Sequence, residues 1–423
     1  MEREWHGHWW LPRDAEARVP GRLVVSADGS VRLELTGGLA LSEIGDDSTA
    51  DLILGYAEET DITLLRCFVM TSRPGLIRVE KHYQRLHANR ALIGTHVGPA
   101  DAVFESVRAQ FEHLTTWLAA PTVEHTQRLG DNKYQATVED APPKKVAFDG
   151  WTATVRTLVQ PFEVTNSRRR DIVTSEVATY LYLQPSEPTM STGFDELLLA
   201  VMDLLTLASG EASGLIDSVM THEERRTFSD RDGSTYQLPV TVESLGRRTH
   251  TASPDEPAVP DHRFRFTCRD LPFEELLPRW VSLRQRTSAA CNVFFGLSYA
   301  RPVYTETRLL LTAIAAEELH KSLVPNLKSG KTNFKYRMLA LAELAAPEAV
   351  GVIIDDVESW ATRITRARHG LAHSGNDTRD DDIFHLESMT VGLISLVLMS
   401  ELGLPADVQV RAAKWPLLHP FAH

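Results

Sequence analysis

The thirteen residues Ala361–His373 carry three arginines (Arg363, Arg366, Arg368), two histidines (His369, His373) and no acid. Acids flank them on both sides, with Asp355, Asp356 and Glu358 before and Asp377, Asp380, Asp381 and Asp382 after. A cationic patch that includes an imidazole titrating near neutrality suits a phosphate-bearing substrate. Arg368 and His373 fit the pattern Arg-x4-His. The pattern alone means little, since 35 arginines and 16 histidines in 423 residues give about 1.3 such pairs by chance, and the chain holds three, with Arg3/His8 and Arg108/His113. The plain alternative is that Arg363, Arg366 and Arg368 pair with Asp355, Asp356 and Glu358, while His373 packs at a helix end.

Other motifs carry less. Ser329-Gly-Lys-Thr332 resembles the end of a phosphate-binding loop, but that loop needs a glycine at 325, where this chain has proline. His6 and His8 lack a third ligand close by, so packing or surface is the expected role. Ser167-Arg-Arg-Arg170 reads as a solvated turn. The adjacent carboxylates Asp355-Asp356 and Glu317-Glu318 read as solvated helix faces. No Gly-x-Ser-x-Gly, His-Glu-x-x-His or paired-cysteine zinc pattern occurs.

The elements that must position these residues change character along the chain. Residues 1–150 read as mostly β: Arg22–Ser26 and Val31–Leu35 form a hairpin about Asp28-Gly29, and strands follow at Asp51–Tyr56, Asp61–Val69 and Ala91–Val97. Phe104–Leu118 has helical spacing through Phe104, Val107, Phe111, Leu114 and Leu118. Strands are expected again at Trp151–Val159, Thr174–Leu183 and Arg263–Cys268, with a helix at Phe194–Ala208 and a polar loop at Thr249–Asp261. From Leu271 the pattern is helical: Phe273–Leu297, Tyr304–Leu323, Phe334–Leu344, Val350–His373 with a break near Gly370, and Ile383–Leu402 stopped by Gly403 and Pro405. A bundle of four or five helices is the natural product. The expected architecture is therefore α+β and multidomain, with a β-rich region over residues 1–270, a division near residue 150 left open, and an all-α region over 271–423.

Composition bounds the function. With 43% hydrophobic and 24% charged residues the chain is a folded one. Net charge is −13, but residues 271–423 hold 16 Lys and Arg against 17 Asp and Glu, a net of −1, while residues 1–270 hold 28 against 40, a net of −12. Long-range repulsion of nucleic acid thus comes from the first two-thirds, and a local basic groove is free to operate in the last. Cys67, Cys268 and Cys291 are expected as buried reduced thiols. Met1-Glu-Arg-Glu-Trp5 lacks the features of a signal peptide. The apolar run Met389–Met399, 11 residues long with Glu401 soon after, is too short to span a bilayer and reads as a core helix. A cytoplasmic protein without a membrane partner is expected.

Residues 300–402 resemble the HEPN domain of ApeA-like anti-phage proteins, a small helical bundle shared by many prokaryotic ribonucleases. The matching pieces are Tyr304-Thr-Glu-Thr-Arg-Leu-Leu310, Ala315-Ala-Glu-Glu-Leu-His320 and Arg368-His-Gly-Leu-Ala-His373. The N-terminal region is similar to the ApeA N-terminal domain at Trp9-Trp-Leu-Pro12, Val19-Pro-Gly-Arg-Leu23, Ile93-Gly-Thr-His96, Phe104–Trp117 and Met202–Gly210. The resemblance implies a HEPN bundle, a role in abortive infection, and Arg368 and His373 as the catalytic pair. The family usually places a polar residue, commonly asparagine, after the arginine, and here that residue is His369. The resemblance also implies a polar or acidic group on the earlier helix, for which Glu317 matches best and Glu318 is the substitute.

The chemistry follows from the substrate class. RNA supplies its own nucleophile, the 2′-hydroxyl, so cleavage without metal or cofactor needs only proton transfer and charge stabilisation. A histidine of pKa near ~6.5 exchanges the proton and an arginine holds the phosphate through two hydrogen bonds. Residues five apart on a helix point about 140° from each other, so one motif encloses a phosphate poorly, whereas two facing motifs in a symmetric homodimer do so readily. The expectation is an endoribonuclease acting on RNA, with a phage-derived trigger acting through the N-terminal region. The alternative is a non-catalytic HEPN module that binds nucleotide or RNA, or only dimerises.

Overall fold

A computed structural model describes residues 2–41, 49–73, 83–119, 123–128, 133–138, 141–160, 163–166, 168–169, 171–230, 234–253, 256–300, 302, 304–324, 333–373 and 380–414. Six antiparallel strands come first: β1 (Arg3–Leu11), β2 (Asp14–Val25), β3 (Val31–Thr36), β4 (Thr49–Ala57), β5 (Thr60–Arg73) and β6 (Tyr83–Ile93). They close on themselves in the order β6-β3-β2-β1-β4-β5 and back to β6, a small barrel. Its interior is filled by one face of each strand, including Trp5, Trp9, Leu23, Leu33, Ile53, Leu64 and Leu86, as a period of two requires. Closure of β1 on β4 depends on Gly55, where a Cβ would lie 2.2 Å from the ring of the fully buried Trp9. His6 and His8 lie on exposed positions of β1.

The lower part of β6 pairs with β16 (Thr235–Gly246), which carries the sheet out of the barrel through β15 (Leu215–Ser229), β7 (Phe104–Phe111), β14 (Val177–Pro185), β11 (Trp151–Val159) and β10 (Lys144–Phe148). Two short hairpins, β8 (Val123–Arg128) with β9 (Lys133–Val138) and β12 (Glu163–Asn166) with β13 (Asp171–Thr174), lie outside this sheet. One helix, α2 (Asp195–Ser209), is buried along almost its whole length and ends at Gly210, whose φ of 80° suits a residue without Cβ.

Two expected elements are corrected here. Phe104–Leu118 is a strand, β7, followed by a four-residue turn of helix, α1 (Leu114–Trp117). Opposite β7, the pairing jumps from Thr221↔Ser106 to His222↔Phe104, and the extra residue, Glu105, moves Phe104 and Val107 to a separation of three with both buried. A bulge therefore imitated helical spacing. Arg263–Cys268 is not a strand. Phe264–Cys268 is a buried irregular segment whose backbone N–H groups are satisfied singly, Arg265 on Ala208 O at 2.8 Å and Cys268 on Trp117 O at 3.0 Å.

The rest is helical: α3 (Phe273–Arg286), α4 (Ser288–Ala300), α5 (Thr305–Leu323), α6 (Phe334–Ala342), α7 (Pro347–Ile353), α8 (Val357–His373), α9 (Asp380–Glu401) and α10 (Ala406–Ala413). Among the described residues this makes eight helices rather than four or five. Phe273–Leu297 divides at Thr287, and Val350–His373 divides at Ile354–Asp356 while running unbroken through Gly370. Asp356 causes the second division, its Oδ1 accepting from Ser359 N at 2.9 Å and so capping α8. The Ser329–Thr332 stretch lies outside the described residues.

The α9 segment Ile383–Glu401, 19 residues, is long and apolar enough to cross a bilayer, which counting only Met389–Met399 understates. Within the fold, 78% of it is buried, packed by α5, α6, α7, α8 and α10, so it is the core helix of the bundle. All three cysteines are free and buried, with burial pushing the Cys67 and Cys268 thiols up to about 12 and Cys291 to about 11.

The β-rich part and the bundle share one apolar core that runs from Phe104 and Leu181 through α2 to Trp280, Trp360 and Leu398. Buried polar bonds reinforce it. Arg284 Nε donates to Asp203 Oδ2 at 2.7 Å, Tyr299 Oη to Asp203 Oδ1 at 2.7 Å, and Trp280 Nε1 to Ala200 O at 2.6 Å, all from α3 or α4 to α2. Arg265 links the C-terminal end of α2, at Leu207 O, to Ser395 of α9.

Candidate functional site

Helix α8 has one apolar stripe and one basic face. Trp360, Ala361, Ile364 and Ala367 are buried at separations of one, three and three, and Arg363, Arg366 and His369 are exposed. Arg368 falls on the border, half-buried. Of the three Arg-x4-His pairs, this alone occupies one helix. Arg3 and His8 share a strand, where an odd separation puts residues on opposite faces, and Arg108 and His113 are split by the end of β7. His373 is the last residue of α8, and its side chain lies outside the described part.

Arg368 does not pair with the acids at the start of α8 or just before it. Its Nη2 donates to Glu317 Oε2 of α5 at 2.9 Å. Glu358 takes Lys335 instead, and Asp356 caps the helix. The other oxygen of Glu317 accepts from Arg337 of α6. One carboxylate, 18% exposed, thus ties three helices together. Lys321, one turn further along α5, lies 3.5 Å from Glu317 and 2.7 Å from Glu318. Its hydrogen bond to Glu318, helped by both carboxylates, holds the ammonium above its ordinary range.

The guanidinium of Arg368 also lies over the Phe334 ring, 4.7 Å from its centroid. A carboxylate at one edge and an aromatic face beneath fix its plane. Among the described residues, Nε and Nη1 have no protein partner, so two donors are left for an anion. Around Glu317 and Glu318 stand three cations, Arg337, Arg368 and Lys321, before the exposed Arg363 and Arg366 are counted.

Sequence reasoning named Arg368, His369, His373 and Glu317, and the fold brings Arg368 and Glu317 together while leaving His369 on the exposed face. It missed Phe334 and Arg337, which follow a polar loop and carry no spacing signal. It also missed the role of His320. That residue is one turn beyond Glu317, 2% exposed, and among the described residues neither ring nitrogen has a hydrogen-bond partner. Burial, with the charge of Arg337, pulls its pKa below the usual histidine range, and Glu317 opposes this. The imidazole is therefore neutral near pH 7.

A second buried ion pair, Arg308 Nη2 to Glu387 Oε1 at 2.8 Å, holds α5 to α9 behind the site. It orients the helix that presents Glu317.

Neither curated proteins nor solved structures include a match to this chain. Family models do match. Residues 4–280, well over half the chain, match ApeA N-terminal domain 1, and residues 299–408 match the Apea-like HEPN domain. The second match spans α5 to α9 and so contains Glu317, Arg337, Arg368 and His373. The β-rich first part and the helical bundle after it fall within these two matches in that order, and the chain belongs to the ApeA family of anti-phage HEPN proteins.

Proposed function

We propose that the α5–α6–α8 face is the active site of a metal-independent endoribonuclease used in abortive infection. The observation that carries the reading is the fixed Arg368, anchored by Glu317, flattened on Phe334 and left with two free donors. In the proposed reaction Arg368 holds the scissile phosphate and His373 is the general acid/base. The 2′-hydroxyl loses its proton to one imidazole and attacks phosphorus, forming the P–O2′ bond. The P–O5′ bond breaks, and the 5′ oxygen takes a proton from the imidazolium of a second copy, leaving a 2′,3′-cyclic phosphate and a 5′-hydroxyl. A homodimer that apposes two α8 helices supplies both groups. Glu317 positions Arg368, and His369, exposed beside it, tunes the site or contacts the RNA backbone.

In this reading the protein acts in the cytoplasm and the N-terminal region senses a phage-derived trigger or restrains the bundle. Its net charge of −12 offers one means of restraint, as a mimic of RNA. Its buried grip on α3, α4 and α9 offers another.

The test is growth and cellular RNA integrity under phage challenge, for wild type and His373→Ala expressed at equal levels. Cleavage products with 2′,3′-cyclic phosphate ends in wild type and none in the variant are expected. Equal cleavage by both would remove His373 from the mechanism.

A further inference from the structure

A cavity of about 280 Å³ lies where β6, β7, β15 and β16 meet α2, far along the chain from the α8 site. Its floor is apolar, made by Val107, Met220, Leu198 and Met202, and Ser218 and Ser244 add hydroxyls. Its cations are Arg90, Arg247 and Arg248. Arg90 is already neutralised, its guanidinium bonded to Asp195 at 2.7 Å and to Ser191 O at 2.8 Å.

Arg248 is different. Its Nη1 donates to two main-chain carbonyls, Leu215 O and Ile216 O, the latter at 2.7 Å. That pins the guanidinium without neutralising it, and among the described residues no carboxylate lies within ion-pair distance. Asp217 and Glu243, the nearest acids by their influence on it, pair with Arg108 and Arg3. Burial pulls the Arg248 pKa down, against the pull of Asp217 and Glu243. Arg247, exposed at the rim, likewise has no ion-pair partner among the described residues.

Two guanidinium groups, neither with a carboxylate at ion-pair distance among the described residues, stand above an apolar floor in a space just under the ~300 Å³ at which ligand pockets begin, and fit an anion with a small flat apolar body. We propose that this cavity binds a nucleoside monophosphate or an organic phosphate of that size, with its phosphate on Arg247 and Arg248 and its base against Met202 and Leu198.

The cavity is coupled to the bundle by α2. Asp195, Leu198, Leu199 and Met202 line the cavity, at separations of three, one and three, while Ala200, Asp203 and Leu207 carry the bonds to Trp280, Arg284, Tyr299 and Arg265. An occupant would press on one stripe of a helix whose other stripe grips the bundle. A regulatory consequence of this rests on the ribonuclease reading; the binding itself does not.

The experiment is titration calorimetry of the full chain with AMP, GMP, CMP and UMP, and with inorganic phosphate as the control. At least one nucleotide should bind saturably, at least ~10-fold tighter than phosphate, and weaken at least ~10-fold in Arg247→Glu, a change at an exposed site that spares the fold. Met202→Trp, which fills the floor, should abolish nucleotide binding in a chain whose circular dichroism matches wild type. No saturable binding, binding no tighter than phosphate, or binding unchanged by Arg247→Glu would each overturn the proposal.

Discussion

Arg368 and Glu317, 51 positions apart in the chain, meet at 2.9 Å across α8 and α5. Glu317 serves Arg337 at the same time and lies 3.5 Å from Lys321, so its charge is shared among three cations. Replacing it by glutamine keeps the shape and removes the charge. Glu317→Gln should cost about 1 kcal/mol of stability, little because the group is only partly buried, yet lower RNA cleavage at least ~10-fold by freeing Arg368 to turn. Urea unfolding alongside a cleavage assay on the same preparation separates the two effects.

His320 presents the opposite case, a buried polar ring without a hydrogen-bond partner among the described residues. His320→Leu keeps the volume and removes two unsatisfied nitrogens, so stability at pH 7.5 should hold or rise by about 1 kcal/mol. Wild-type His320 has a folded pKa below its unfolded value. Its neutral ring contributes stability that is present above about pH 6.5 and lost as pH falls below it. The leucine variant should therefore lose less stability than wild type between pH 6.5 and 5, as read by thermal melts across that range.

Asp203 works with the other sign. Burial, opposed by Arg284 and Tyr299, raises its pKa to about 6 from an ordinary 3.8. Between these values the folded state holds a proton that the unfolded state has released. Wild type should thus lose stability relative to Asp203→Asn as pH rises from 4 to 6, by roughly 1.4 kcal/mol per pH unit, and the difference should level off above that. Denaturant unfolding of both proteins at half-unit steps checks the slope.

Arg265 sits wholly buried at the end of α2, where burial pulls its pKa down to about 10. The carbonyls at a helix C-terminus favour a cation there. Arg265→Leu would take the side-chain donor from Leu207 O and leave Ser395 Oγ only its bond to Val391 O, and should lower stability by about 1–3 kcal/mol. Calorimetry should show the fall at the transition of the shared core.

Much of this molecule was legible from residue patterns. Strict alternation located β2, β3, β4, β5 and β11, and the apolar stripes of α2, α5 and α9 were plain because each faces a core. Bulged, two-sided or irregular pieces escaped. Glu105 shifted the pleat of β7 into a helical rhythm, and Phe264–Cys268 is buried without a ladder to give it period two. The projecting halves of β15 and β16 are exposed on both faces, so no alternation marks them. At the candidate site, Arg368 and Glu317 were visible through the resemblance to the HEPN domain. Phe334, Arg337 and His320 were not, because a stacking ring, a shared carboxylate and an unpartnered imidazole are relations between helices that no linear spacing records.

The barrel fills its interior with its own side chains, whereas the second half of the sheet shares its interior with the helices. Cooperativity should follow the packing. In hydrogen exchange the amides of β1–β4 would open as one unit, and those of β7, α2 and α5 would exchange together, with a common free energy, although they straddle the change from strands to helices. A fragment beginning at Leu271 would expose the apolar surface that α2 now covers and would be expected to aggregate. The bundle and the sheet beside it should therefore unfold as a single unit.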